Sequence, residues 1–396
     1  MANSLKFEQS ATLLNELLAQ ATGKKGIAPV NESQFVSVAH TALLAGYDQL
    51  STAISITLSN TIFSIRPYYA KFKGLKADKI RFGNITRKLT AVDRVWEDDQ
   101  RFELTEGEPI DHYVVHKPTT IQVNFYGGNV YAYHYTIYKD QLDQALTSSD
   151  EFGRFWTMIV QEITNKIEQT HEVTARNTLC NFIAGKVQGD ADNVIHLVQK
   201  YNDETGENLT KETVRNKENW KDFAQWAFAY INTLCELMGE RSSKFHTNIT
   251  NWNGTGEDRT VLRHTPFDRM KMYLSASIMN NISTRVIANT FNDEMMKMID
   301  FEKVNYWQSI DQPDGISVKP IYLTENGTLT QPEDNVVVSD VVGVIFDEDA
   351  IGWTSFNEYT LNTPMNAAGA YTNVYYHFTE RYWNDFTENG VVLLLD

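Results

Sequence analysis

Residues 148–185 read SSDEFGRFWTMIVQEITNKIEQTHEVTARNTLCNFIAG, with apolar side chains recurring every three or four positions. Phe152, Phe155, Trp156, Ile159, Ile163 and Ile167 form one stripe, continued by Val173, Leu179 and Ile183. Ser148 and Glu151 have capping-box spacing at its start, and Gly185 marks its stop. The pattern predicts a helix of about 36 residues, ~54 Å long at 1.5 Å per residue. It lacks sustained heptads, which argues against a coiled coil. A helix this long with a single apolar stripe acts as a beam across a whole domain.

Immediately upstream, residues 120–125 and 130–135 are aromatic-dense strands parted by Gly127-Gly128. Before them, residues 66–117 split by charge. A basic arm carries Arg66, Lys71, Lys73, Lys76, Lys79, Arg81, Arg87, Lys88 and Arg94, against Asp78 and Asp93. An acidic arm carries Glu97, Asp98, Asp99, Glu103, Glu106, Glu108 and Asp111, with Arg101 as the exception. Residues 79–82 and 89–93 alternate as strands do. So few apolar residues cannot build a core, so the segment is expected to project and to pair its charges within the hairpin or on a neighbour. The first 65 residues read as short helices: a stripe from Leu13 to Ala21 ended by Gly23, a piece over 34–45, and another over 48–58. Isolated helices of this length are marginal, so they must lie against the body or a neighbour.

Downstream of a polar stretch at 186–216, Trp220, Phe223, Ala224, Ala227, Ile231, Leu234 and Met238 mark a second long helix ending near Gly239. Residues 248–258 read as an exposed loop, 270–274 as a strand feeding short helices at 277–282 and 284–292. Short strands and turns fill 301–333. The end is β-rich, with strands over 336–346, 371–383 and 390–395 and an acidic turn at Asp347-Glu348-Asp349.

A chain of 396 residues with 42% hydrophobic and 22% charged residues has the composition of a folded protein. The net charge of −16 disfavours holding nucleic acid by neutralising phosphates. Cys180 and Cys235 stand far apart on apolar-patterned helices, which suits reduced, buried thiols rather than a zinc site or disulfide framework. The N-terminus does not read as a signal peptide, and no apolar run is long enough to span a bilayer. Nucleophile elbow, phosphate loop, dinucleotide fingerprint and zinc-helix motifs are absent from the sequence. His112 and His116, four apart beside Pro118, sit in strand-like context and do not make a convincing metal pair. The Asp347-Glu348-Asp349 and Glu97-Asp98-Asp99 runs could hold a cation or supply acid–base chemistry, but solvated acids at turns are the simpler account. No catalytic, cofactor or metal residue is expected.

The order of elements resembles the major capsid proteins of tailed bacteriophages, and within them the subunits of small phi-29-type podoviruses. "YYAKFKGLKADKIRFG" resembles the start of that family's extended loop, and "YHYTIYKDQLDQALTSSDEFGRFWTMIVQEI" its strand, connection and spine helix. "MKMYLSASIMNNISTRVIANTFN" resembles the strand-then-helices unit of the axial domain; "VVGVIFDEDAIGW" and "NVYYHFTERYWNDF" resemble the closing strands of the peripheral domain. Specificity lies in the order and spacing of these segments, from about residue 50 to the end.

The resemblance implies an α+β, Hong Kong 97-type (HK97-like) fold. Its expected parts are an N-terminal arm (1–64), an extended β-hairpin loop (65–118), a peripheral domain with spine helix (119–190), an axial domain (191–340) and closing strands of the peripheral domain (341–396). It implies a non-enzymatic subunit forming hexamers and pentamers of an icosahedral head around double-stranded DNA, without sequence-specific DNA contacts. The loop would lie over an adjacent subunit and the arm would reach under another. A portal and a separate scaffold protein are expected partners, with assembly in the host cytoplasm, no membrane and no cofactor. A Lys–Asn crosslink, found in some members, has no evident place here. Two other functions compete: an encapsulin-like compartment shell, and a cytoplasmic carbohydrate-active enzyme using paired carboxylates and aromatics.

Overall fold

A computed structural model describes residues 5–23, 29–65, 72–76, 85–92, 117–126, 128–282 and 301–396, together with Tyr113 and Val115. Three helices open the chain: α1 (Phe7–Thr22), α2 (Glu32–Leu44) and α3 (Tyr47–Ile65). Gly23 ends α1 in the left-handed conformation (φ 71°), which suits a residue without Cβ. Asn31 caps α2 by accepting from the Gln34 amide. Strands β1 (Ile85–Ala91), β2 (Thr120–Tyr126) and β3 (Asn129–Tyr138) follow, then α4 (Lys139–Ala145) and the spine helix α5 (Ser149–Gly189).

The Ser148 hydroxyl accepts from the Glu151 amide at 3.2 Å, as the capping spacing predicts. The helix runs 41 residues, one turn beyond the expected stop. Gly185 is therefore a packing glycine: a Cβ there would stand 2.5 Å from the Phe386 ring. The helix ends instead where Asp190 accepts from Lys186 at 2.7 Å and from Asn193 at 2.9 Å. Burial alone would raise the Asp190 pKa; Lys186, Thr247 and Asn193 hold it below the ordinary carboxylate value. Burial lowers the pKa of the fully buried Lys186, against the pull of Asp190.

Beyond the spine come β4 (Val194–His196), α6 (Leu197–Thr205), α7 (Lys211–Val214), α8 (Lys217–Gly239), β5 (Met270–Ser275) and α9 (Ala276–Ile282). Short strands β6 (Phe301–Val304), β7 (Ile316–Val318), β8 (Tyr322–Leu323), β9 (Leu329–Thr330) and β10 (Val336–Val338) lead to β11 (Val341–Asp347), β12 (Ile351–Asn362), β13 (Tyr371–Asn384) and β14 (Gly390–Leu394). The strand and short helix expected over 270–282 are present. The helix expected over 284–292 lies outside the described residues.

Two sheets organise the body. A five-stranded sheet runs β4-β14-β11-β5-β6 and a three-stranded sheet runs β12-β13-β3. Segment 341–396, expected as one group of closing strands, is thus shared: β11 and β14 join β5, while β12 and β13 join β3. Burial explains the division. Every residue of β11 and β14 is buried, as in a strand covered on both faces. Val341, Val344, Phe346, Val392 and Leu394 face the C-terminal half of α5, whereas Val342, Ile345, Val391 and Leu393 face α8 with Trp220, Phe223, Ile231 and Leu234. Strand β13 instead alternates buried and partly exposed residues, covered on one face only.

That covered face of β13 and β3 packs on the N-terminal half of α5, where Phe152, Trp156, Ile159, Ile163 and Ile167 meet Ile137, Val374, Tyr376 and Phe378. Helices α1–α3 complete this core. Phe35 stands between Phe7 and Phe152, with ring centroids 6.4 and 5.9 Å away. The Glu32 carboxylate accepts from the Ser149 amide at 3.3 Å and from its hydroxyl, placing a negative charge at the positive end of the spine helix. The described helices of the arm therefore lie against their own subunit's spine helix.

Candidate assembly interface

Strands β1 and β2 pair antiparallel in unbroken register from Ile85↔Tyr126 to Ala91↔Thr120, and the Val92 amide donates to the Thr119 carbonyl at 2.9 Å. The chain between them therefore departs and returns at one point. Alternation gives the ribbon two faces. Arg87, Leu89 and Ala91 on β1, with Gln122 and Asn124 on β2, are exposed. Lys88, Thr90, Val92, Ile121, Val123 and Phe125 turn toward the body. Val92, Ile121 and Val123 pack on the core that also holds the C-terminal half of α5, and Phe125 lies 6.4 Å from the Trp383 ring.

The polar half of the inner face meets a cluster of charges. Lys88 Nζ is 2.5 Å from Asp385 Oδ2 and also pairs with Glu388. Arg263 pairs with Glu388 at 3.3 Å, donates to the Thr387 carbonyl at 3.1 Å, and reaches Thr90 Oγ1 at 3.1 Å. Asp385 also accepts from the Thr387 amide and hydroxyl, at 3.0 and 2.6 Å. Burial pushes the Glu388 pKa up, against the pull of Lys88 and Arg263. From the same segment Arg259, stacked 4.0 Å over the Trp252 ring, donates to the Thr120 carbonyl on β2 at 3.3 Å.

Of the basic arm, Lys88 is thus engaged by carboxylates of its own subunit, and Arg87 is exposed. Residues 72–76, expected to project, lie against the body. Phe72 and Leu75 are buried beside Tyr273, because a short turn of 3₁₀ helix from Lys73 to Leu75 brings both apolar side chains inward. Lys76 is half-buried with Nζ 5.3 Å from the centre of the Trp353 ring. Arg66, Lys71, Lys79, Arg81, Arg94, Glu97, Asp98, Asp99, Glu103, Glu106 and Glu108 lie outside the described residues, as do Asp111, His112 and His116.

Reading the chain for charge runs missed several residues of this region. Arg259, Arg263, Asp385 and Glu388 stand alone in sequence and carry no local signal. Exposed Leu89, Tyr113 and Val115 add apolar surface to the excursion; their sequence signal is apolar character inside a charged run. The acidic turn at 347–349 is organised by Arg269, 3.4 Å from Asp347, 2.9 Å from Glu348 and 2.5 Å from Asp349. Among the described residues, no cluster of His, Cys, Asp or Glu could hold a metal ion, and no helix is long and apolar enough to cross a membrane.

The Phi29-like phage major capsid protein family model matches residues 14–394. In fold, the chain is similar to one in the capsid structure of Staphylococcus phage Andhra: 12% identity over 82% of this chain and 84% of that one, TM-score 0.50. It is similar also to a chain in a structure of the head fiber and inner core protein gp22 of native bacteriophage P68: 13% identity over 83% and 85%, TM-score 0.52. No curated protein matches it. The α+β architecture is HK97-like, and neither the compartment-shell nor the carbohydrate-active reading finds support. With the family matched over most of its length, the chain belongs to the Phi29-like phage major capsid proteins, structural subunits that associate with one another in the shell of a virion.

Proposed function

We propose that the subunit forms hexamers and pentamers of an icosahedral tailed-phage head around double-stranded DNA, gripping its neighbours through the extended loop at 65–118. The observation that carries this reading is the paired root of that loop: β1 and β2 close the mostly acidic excursion between them and dock its root on the body, with the basic residues running up to and into β1. An excursion too poor in apolar residues for a core of its own finds its partners outside itself. Arg66, Lys71, Lys79, Arg81, Arg87 and Arg94 meet the acids Glu97, Asp98, Asp99, Glu103, Glu106 and Glu108 of an adjacent loop or body. Opposite charges set register and reject wrong dockings. Each exposed pair contributes about 0–1 kcal/mol, weak enough for errors to dissociate and additive around a closed shell. A net charge of −16 suits a container that does not trap packaged DNA on its wall. A portal and a separate scaffold protein complete the head, assembly takes place in the host cytoplasm, and no catalytic step is involved.

Charge reversal tests the grip. Glu97, Asp98 and Asp99 changed together to Lys, or Lys71, Lys79 and Arg81 changed together to Glu, should each leave a soluble subunit that no longer forms shells. Combining both sets should restore assembly in part. Negative-stain electron microscopy and sedimentation read the outcome, and normal shells from either triple variant would sink the reading.

A further inference from the structure

We infer that the turn at 385–388 and the segment at 259–263 form a two-point clamp that sets the direction in which the extended loop leaves the subunit, with Lys88 as its positioning residue. The inference rests on the reading of that loop as an assembly element.

A two-stranded ribbon is marginal by itself and takes its orientation from what it packs on. Here the contacts divide by kind. Val92, Ile121, Val123 and Phe125 supply apolar contact, which is non-directional and tolerates sliding. The charged contacts do not tolerate it, because charge-assisted hydrogen bonds are short and geometrically demanding. Lys88 reaches between Asp385 and Glu388, whose side chains retain 2% and 11% of their exposure. A shift of the ribbon by one residue would turn Lys88 to the outer face and leave both carboxylates without their lysine.

The second point holds both strands at one level. Thr90 and Ala91 of β1 face Ile121 and Thr120 of β2 in the ladder. Arg263 holds Thr90 and Arg259 holds Thr120, four residues apart on one segment. The same Arg263 binds Glu388 and the Thr387 carbonyl, so the two points of the clamp are themselves joined. The root of the loop is thereby tied to parts of the chain far away in sequence: 297 residues separate Lys88 from Asp385. A rigid root matters for a gripping element because a small angular error there displaces a distant tip by many ångströms.

Lys88→Met retains the apolar stem and removes the charge; Lys88→Arg retains the charge. Hydrogen exchange on the unassembled full-length subunit should show amides of 85–92 and 119–126 exchanging at least tenfold faster in Lys88→Met. Helices α5 and α8 should be unchanged, which separates release of the ribbon from unfolding. The same variant should give few or misshapen shells by electron microscopy, and Lys88→Arg should restore both readouts. A Lys88→Met subunit that fails to fold is replaced by Arg263→Lys, which should loosen β1 in the same way. Unchanged exchange in the ribbon overturns the clamp and leaves the gripping reading to stand on the charge reversals. Faster exchange with normal shells overturns the positioning role and counts against the gripping reading as well.

Discussion

His171 Nε2 lies 2.8 Å from Glu380 Oε1, with both side chains buried, where the spine helix crosses β13. The pair stands at the junction of the two cores that the helix joins. The Trp353 ring is 4.6 Å from the imidazole, Phe378 meets it edge-on, and Thr174 donates to the other Glu380 oxygen at 3.1 Å. A buried polar pair is weak evidence for stability, but loss of one partner is costly. Removing the histidine leaves the buried Glu380 side chain without its polar neighbour and opens a cavity beside Trp353, whereas a glutamine in place of Glu380 keeps an acceptor at the same position. We therefore expect His171→Ala to destabilise the subunit by about 3–5 kcal/mol and Glu380→Gln by roughly 1–3 kcal/mol. Urea unfolding midpoints decide, and the reverse order would refute this account of the junction.

Gly343 lies in β11, where a Cβ would stand 2.4 Å from the Leu274 side chain and 2.7 Å from the Tyr273 carbonyl oxygen. The carbonyl belongs to the paired strand β5 and cannot move without breaking the ladder. Gly343→Ala should cost about 1–3 kcal/mol, the range for overpacking. At Gly315 the nearest atoms are 3.5 Å away, so Gly315→Ala should stay within ~0.5 kcal/mol of the parent. Equal midpoints for the two variants would show that β5 and β11 are not packed as described.

Burial drives the pKa of His246 from 6.5 down to about 4, with Lys186 and Arg263 adding to the effect and the Asn389 side chain opposing it. The unfolded chain binds a proton below pH 6.5 that the folded chain refuses until about pH 4. Stability is therefore full above pH 6.5 and falls as pH drops through that window, by up to ~1.4 kcal/mol per pH unit. Glu388, with its raised pKa, acts in the opposite sense, since the folded form gains a proton before the unfolded one. Comparing unfolding midpoints at pH 7, 6 and 5 in the parent and in His246→Asn isolates the histidine. Its replacement should flatten the decline, and an unaltered slope would assign the pH response elsewhere.

Cys180 and Cys235 are buried, and burial pushes both thiols up to about 12. Alkylation requires the exposed thiolate. Native subunits should stay unlabelled by iodoacetamide at pH 8 over hours, and both thiols should react within minutes in urea. Rapid labelling of Cys180 in the native subunit would mean that the core under β11 opens readily.

Periodicity made the spine helix legible because a helix buries a face through residues three and four apart, a relation written entirely in neighbouring positions. The Ser148 cap and the apolar faces of α5 and α8 are local facts of the same kind. Gly185 misled for the opposite reason: the Phe386 ring that requires a glycine there comes from another part of the chain. Phe72 and Leu75 were hidden among lysines, and only the pocket beside Tyr273 shows them to be core. The order of helices, strands and charge runs, and with it the family, was determined by the sequence itself, since pattern and propensity act over a few residues. Which sheet β11 and β14 join, which carboxylates hold Lys88, and how the loop root is clamped were decided by the tertiary structure. Those pairings depend on which distant faces share one desolvated space, and burial of that kind is a property of the packed chain as a whole.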